Sequence, residues 1–292
     1  MKIELPGEGR DAVVVASVSG GKDSAALVLA LREAEISARY VFADTGWEHP
    51  ATYAHLDTMR QRLGIQIDVV GVDGGMMARA RTRAGFPLKM ARWCTAELKI
   101  KPIRRYVDAV IDATGNDAVN AVGVRADESE SRRKLPSFAF DKDFDGLIWR
   151  PLLNWTVEDV LAIHRRHGLP MNPLYAAGYD RVGCYPCIYS SKSEIARIAE
   201  DSPQVIDRIA EAEAEFTALR GERNAESPRR YATAKAAFFS ARVAGDNGPA
   251  SIYDVVDWAR TGRGGRQRLI WDAAPRGGCM RWGLCETGPL DK

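Results

Sequence analysis

The segment Val13–Glu35, VVVASVSGGKDSAALVLALREAE, allows few folds. An apolar run, Val13–Ser17, reads as a buried strand and stops just before the adjacent glycines Gly20 and Gly21. Lys22–Glu33 then takes helical spacing, with Leu27, Leu31 and Ala34 on one side. A strand that feeds a helix through a glycine turn is the opening of a crossover, and crossovers build parallel sheets. The alternation continues. Ala38–Ala43, Ile67–Val70 and Asn120–Val124 read as strands, Pro50–Leu63 and Glu97–Ala113 as helices, and Pro102 suits a first helical turn. Gly71–Gly85 has no clear period and reads as a loop. The expected fold is α/β, a doubly wound parallel sheet with helices on both faces.

Strand signals thin out after Arg150. Thr156–His167, with Thr156 as N-cap, Ser191–Glu200 and Pro203–Leu219 read as helices. The expected division is therefore 1–150, an α/β nucleotide domain, and 151–292, a mostly helical, cysteine-bearing region with an Arg-rich tail. At 292 residues and 46% apolar content the chain can bury one large or two modest cores. No run reaches the roughly 18 apolar residues of a membrane span, and MKIELPGEGR lacks the apolar centre of a signal peptide. The expectation is a cytoplasmic chain without a membrane partner.

A net charge of +2 hides an uneven layout. Arg79–Arg105 holds nine Lys/Arg against one acid, Glu97, and Arg260–Arg281 six Arg against Asp272. Blocks of this strength point to an anionic ligand, either a nucleotide or a nucleic acid.

Ser19–Ser24, S-G-G-K-D-S, sits where strand becomes helix. Glycines let backbone N–H groups converge without Cβ clashes, and a helix N-terminus adds unpaired donors and partial positive charge. Lys22 adds a full charge, and Ser17, Ser19 and Ser24 add hydroxyls. Such a cradle suits phosphates. It matches neither G-x-x-x-x-G-K-[ST] nor G-x-G-x-x-G.

The S-G-G-K-D-S string after the first strand resembles the PP-loop of ATP pyrophosphatases, the adenine-nucleotide alpha-hydrolase group. That resemblance implies that Gly20, Gly21 and Lys22 grip the pyrophosphate of ATP, that Asp23 orients Lys22 or holds Mg²⁺, and that Lys22, Asp23 and Arg125 serve catalysis. VFADTGWEHP, Val41–Pro50, resembles the D-T-G-W segment of the small subunit of bacterial ATP sulfurylase and its relatives. Ligands bind at the carboxyl-end loops of a parallel sheet, so Asp44 and Thr45 are expected to face the same crevice; an ordinary turn capping the next helix is the alternative. GVRADESESRR, Gly123–Arg133, resembles the G-x-R-x-x-E-S-x-x-R element of those relatives. By that likeness Gly123 admits a phosphate or ribose, Arg125 and Arg132 bind anionic groups, and Glu128 and Ser129 belong to the nucleotide site.

Cys184 and Cys187 form a C-x-x-C turn, which brings two sulfurs to one side at a separation suited to a metal or cluster. The stretch from Trp155 through Cys187 and RWCTAELKIKP, Arg92–Pro102, resemble the cysteine segments of phosphoadenylyl- and adenylyl-sulfate reductases. Cluster-bearing reductases carry adjacent cysteines in the second segment. Trp93 stands at the first of those positions here, leaving Cys94. Cys94, Cys184 and Cys187 with Cys285, or with Cys279 as the alternative, would complete four thiolates. A four-iron cluster is the first expectation and zinc the second. His164 and His167 read as a solvated helix face, and the absence of H-x-E excludes a zinc deaminase.

An intact PP-loop implies ATP cleavage to AMP and pyrophosphate, and the closest likeness in type is to thiolating members such as the DNA phosphorothioation sulfurtransferases. Sulfur would come from a donor protein or thiol. Two other readings stay open: an adenylyl-sulfate reductase or sulfate-activating enzyme, and a nucleotide- or nucleic-acid-binding module without turnover. RWGLCETG, near the C-terminus, only echoes the reductases' catalytic tail and lacks its histidine.

Overall fold

The computed structural model describes residues 3–9, 11–228, 230–231, 233–241 and 248–262. Along the chain run β1 (Val13–Ser17), α1 (Lys22–Glu33), β2 (Ala38–Asp44), α2 (Pro50–Leu63), β3 (Ile67–Gly71), α3 (Gly75–Arg83), α4 (Lys101–Thr114) and β4 (Ala118–Val122). After these come β5 (Phe138–Asp141), β6 (Gly146–Trp149), α5 (Val157–His167), α6 (Lys192–Asp201), α7 (Pro203–Glu226) and α8 (Ile252–Arg260). Among the described residues two compact units divide the chain: 3–72 with 96–185, and 73–95 with 186–262. Position 150 falls inside the first unit.

The first unit holds one six-stranded sheet in the order β3-β2-β1-β4-β6-β5. All pairings are parallel except β5 with β6. β1 pairs with β2 on one side and β4 on the other, with Ser17 level with both Val41 and Val122. The alternation of side chains along β1 separates two cores. Val14 and Ala16 join a cluster with α1 and with Val160 and Ile163 of α5, while Val15 joins Val107 and Val110 of α4.

α1 is buried from Ala25 to Leu31, so it is enclosed on every side rather than amphipathic. Its Ala and Leu content favours helix, and each buried Leu contributes about 1.5–3 kcal/mol. α2 begins with Pro50 after His49, whose ring accepts from the Ala51 amide, and ends at the left-handed Gly64. Thr156 caps α5 in a reciprocal pair with Asp159, as its sequence predicts.

Three elements depart from the sequence reading. Gly71–Gly85 contains a helix, α3, whose buried stripe is only Met76 and Ala80, continued by Ala84; the stripe is hidden among glycines and arginines. Phe138–Trp149 forms the β5–β6 hairpin through an acidic turn in which Asp145 takes φ +56°. α8 buries Ile252, Val255, Val256 and Ala259, a helical spacing behind the Ser251–Asp254 capping pair.

In the second unit the aromatic rings of Phe86, Phe216 and Phe238 meet edge to face. Buried Glu213 accepts the amides of Phe238 at 2.8 Å and Ile252 at 2.9 Å. Those two bonds offset the cost of burying the carboxylate.

Candidate active site

The strand order reverses at β1, where ligand crevices form beyond the carboxyl ends of parallel strands. The glycine loop leaves β1 there. Gly20 takes φ +72°, and a Cβ on it would stand 2.8 Å from Thr52 Cγ2, so glycine is required on both counts. The loop serines brace the loop itself. Ser24 Oγ donates to the Gly21 carbonyl at 2.9 Å and accepts the Ser19 amide at 3.1 Å, while Ser17 Oγ donates to Asn120 Oδ1 at 2.7 Å.

Residues far along the chain hold the loop from outside. Asn172, fully buried, donates from Nδ2 to the Gly20 carbonyl at 3.1 Å. The buried hydroxyl of Tyr175 accepts the Lys22 amide at 3.1 Å, and its ring lies 5.4 Å from the Lys22 ammonium. His164 Nε2 lies 2.9 Å from the Lys22 carbonyl and Nδ1 3.2 Å from the Leu169 carbonyl. His164 is thus buried, not on a solvated face, and burial lowers its pKa. Only folding brings these residues to the loop; Asn172 and Tyr175 carry no sequence signal, and the sequence reads His164 as solvated.

What remains open is the set of donors a phosphate needs. Gly20 and Gly21 are buried, and among the described residues no acceptor is bonded to either amide. The N-terminus of α1 has no side-chain cap. Buried N–H groups without partners are rare because each costs the desolvation of a donor.

The expected catalytic residues come together. Lys22 Nζ lies 2.9 Å from Asp23 Oδ2, and Arg125 Nε lies 2.5 Å from Asp23 Oδ1. Arg125 is 3% exposed, and its Nη1 is buried without a hydrogen-bond partner. The missing Cβ of Gly123 makes room for the Asp23 carbonyl, 2.7 Å from where it would stand, so the glycine seats β4's loop against α1. Glu128 accepts the Arg125 amide at 3.0 Å and also pairs with the half-exposed Arg132, while Ser129 caps the short helix that follows.

Asp44 and Thr45 are committed to their own loop. Asp44 Oδ1 accepts the Gly46 amide at 2.8 Å, an Asx turn, and the Tyr53 hydroxyl at 2.8 Å. Thr45, 1% exposed, donates its hydroxyl to Glu48 Oε1 at 2.7 Å. Between the first and second strand loops lies a cavity of about 170 Å³, whose polar lining is Ser17, Ser19, Glu48 and Lys99. Lys99 comes from a π-helical segment, Ala96–Ile100, where a plain α-helix is the sequence expectation.

Cys94, Cys184 and Cys187 are each half-buried; Cys184 belongs to the first unit, Cys94 and Cys187 to the second. Cys279 and Cys285 lie outside the described residues. Among the described residues no group of three or more His, Cys, Asp or Glu could hold a metal ion. Both oxygens of Asp23 are occupied by cations, so that carboxylate does not fit Mg²⁺ in this arrangement. Among the described residues no helix is long and apolar enough to cross a membrane.

Residues 13–190 match the phosphoadenosine phosphosulfate reductase domain model. The chain belongs to that family. This family segment takes in the glycine loop, the β4 loop and the C-x-x-C turn. An uncharacterised 37.8 kDa protein of Escherichia phage 186 is 34% identical, over 87% of this chain and 90% of its own length. The adenosine 5'-phosphosulfate reductase of Anoxybacillus flavithermus is 28% identical over 60% of this chain and 73% of its own. Among solved structures, the phosphoadenylyl-sulfate reductase of Candida auris in a phosphate complex aligns with a TM-score of 0.48 and 17% identity, over 62% of this chain and 85% of that one.

Proposed function

We propose that this family member cleaves ATP to AMP and pyrophosphate, adenylating an acceptor that then receives sulfur. The buried, unpartnered amides of Gly20 and Gly21 beside the Lys22 ammonium carry this reading. An acceptor oxygen attacks the α-phosphorus, the bond to the bridging oxygen of the β-phosphoryl group breaks, and its electron pair leaves with pyrophosphate. Negative charge grows on the leaving group as that bond breaks. Donors fixed beforehand therefore stabilise the transition state more than the ground state.

Asp23 holds Lys22 and Arg125 in place, and Arg125 Nη1 offers one donor to an anionic group of the nucleotide. In the second step the terminal sulfur of a donor persulfide, R–S–S⁻, attacks the adenylated centre and AMP departs with the electron pair of the broken bond; a second thiolate then attacks the donor's own sulfur, which breaks the S–S bond and leaves the terminal sulfur on the acceptor. The two basic blocks favour a nucleic acid or nucleotide as acceptor. Mg²⁺, zinc and an iron–sulfur cluster are assigned no step here; among the described residues no group of three or more His, Cys, Asp or Glu could hold a metal ion.

A second reading, reduction of adenylyl sulfate, is favoured by relatives named as adenosine 5'-phosphosulfate reductases at 28–30% identity. Product analysis separates the two. The proposed reading expects AMP and pyrophosphate from ATP once an acceptor is present. Release of ADP would overturn it, and adenylyl sulfate consumed with a thiol and no ATP would favour the second.

A further inference from the structure

Glu48 lies outside the residue set that the family resemblance supplies, yet its carboxylate gathers three donors from its own loop. Oε1 accepts the Thr45 hydroxyl at 2.7 Å. Oε2 accepts the amides of Thr45 and Trp47, both at 3.2 Å, and lies 3.4 Å from the Tyr53 hydroxyl, whose proton goes to Asp44. These bonds wind residues 44–48 around one side chain, which itself lines the 170 Å³ cavity with Ser17, Ser19 and Lys99.

The same loop seats a second one. Glu48 and Cys184 form an isolated antiparallel bridge, and the Tyr185 amide donates to the Trp47 carbonyl at 2.7 Å. The Tyr185 ring meets the His49 ring edge to face at 4.5 Å. The backbone that carries Cys184 is thus paired to the backbone that Glu48 winds, and Gly183 reaches the cavity wall.

We infer that Glu48 is a positioning residue that couples occupancy of the cavity to the backbone carrying Cys184. A ligand that presses on or bonds to Glu48 shifts the loop at Trp47, and that loop holds the Tyr185 amide. Coupling of this kind is reciprocal: whatever fixes the Cys184 segment also stiffens the cavity wall. Glutamine at this position keeps the shape but replaces one acceptor oxygen with a donor, which then faces other donors. The inference rests on the proposed nucleotide site for its ligand and is tested separately from it.

The test is hydrogen–deuterium exchange by mass spectrometry on the full chain as purified, with and without ATP, for wild type and Glu48→Gln. Without nucleotide, exchange at the Tyr185 amide should quicken at least tenfold in the variant, and an unchanged rate overturns the inference. With ATP, wild type should slow at both Gly20–Ser24 and Tyr185, and the variant should slow at Gly20–Ser24 alone. A variant that still slows at Tyr185 overturns the coupling, as does a wild type that slows only at Gly20–Ser24. No slowing at Gly20–Ser24 in wild type counts against the nucleotide reading, while the nucleotide-free comparison still judges Glu48. Should Glu48→Gln fail to fold, Thr45→Val removes one donor from the carboxylate and should quicken Tyr185 exchange by a smaller factor; no change there also overturns the inference.

Discussion

The glycine loop after β1 and the arginine loop after β4 emerge from neighbouring strands but are built in opposite ways. The first is held by Asn172, Tyr175 and His164, so that its carbonyls and the Lys22 amide are used while the Gly20 and Gly21 amides are not. The second sends in one buried group, Arg125, and leaves Glu128 and Arg132 paired with each other toward solvent. Rigid bracing with open donors belongs to a site that must hold charge without reorganising. A loop whose charges satisfy each other at the surface contributes little beyond the buried arginine.

The largest effect should follow from breaking the first loop. Lys22→Ala should lower AMP and pyrophosphate formation by about 100-fold or more while the melting temperature changes little, as expected for a lost charge donor at a leaving group. Gly123→Val should unseat the β4 loop from α1, since even a Cβ would stand 2.7 Å from the Asp23 carbonyl, and should cost several kcal/mol by denaturant titration. Acid should loosen the braced side. Burial pulls His55, a buried residue of α2, down to about 4 and lowers His164 too, so between pH 6.5 and 4 the unfolded chain binds more protons than the folded one. Stability should then fall as pH drops through that window, by on the order of 3 kcal/mol for His55, read as a declining melting temperature.

Tyr175→Phe leaves the Lys22 amide buried without its acceptor and should cost about 1–3 kcal/mol, with weaker pyrophosphate binding. Arg132→Ala should change stability by less than about 0.5 kcal/mol and turnover by no more than a few-fold. A large loss of activity there would show that the second loop closes on the ligand and would redraw the contrast.

Much of this was legible in the sequence because it is local. The runs at Val13–Ser17 and Ala38–Ala43 and the Thr156 cap of α5 act on neighbours in the chain, so spacing alone exposes them. S-G-G-K-D-S likewise announces its own turn. Asn172 and Tyr175 leave no signal in the sequence, and His164 reads there as solvated, because their roles exist only once distant segments meet. A tyrosine 153 positions from the amide it caps leaves no local trace. The β5–β6 hairpin was obscured by its acidic turn, and α3 by having only a two-residue buried stripe within its nine residues.

The central claim is that the open amides at the start of α1 receive a diphosphate. Amide proton–nitrogen resonances of Gly20 and Gly21, followed by NMR as pyrophosphate is added, test it most directly. Both should move in a saturable way in the wild-type chain and much less in Lys22→Ala. Resonances that stay fixed at both glycines while pyrophosphate binds elsewhere, or fails to bind at all, would contradict the account.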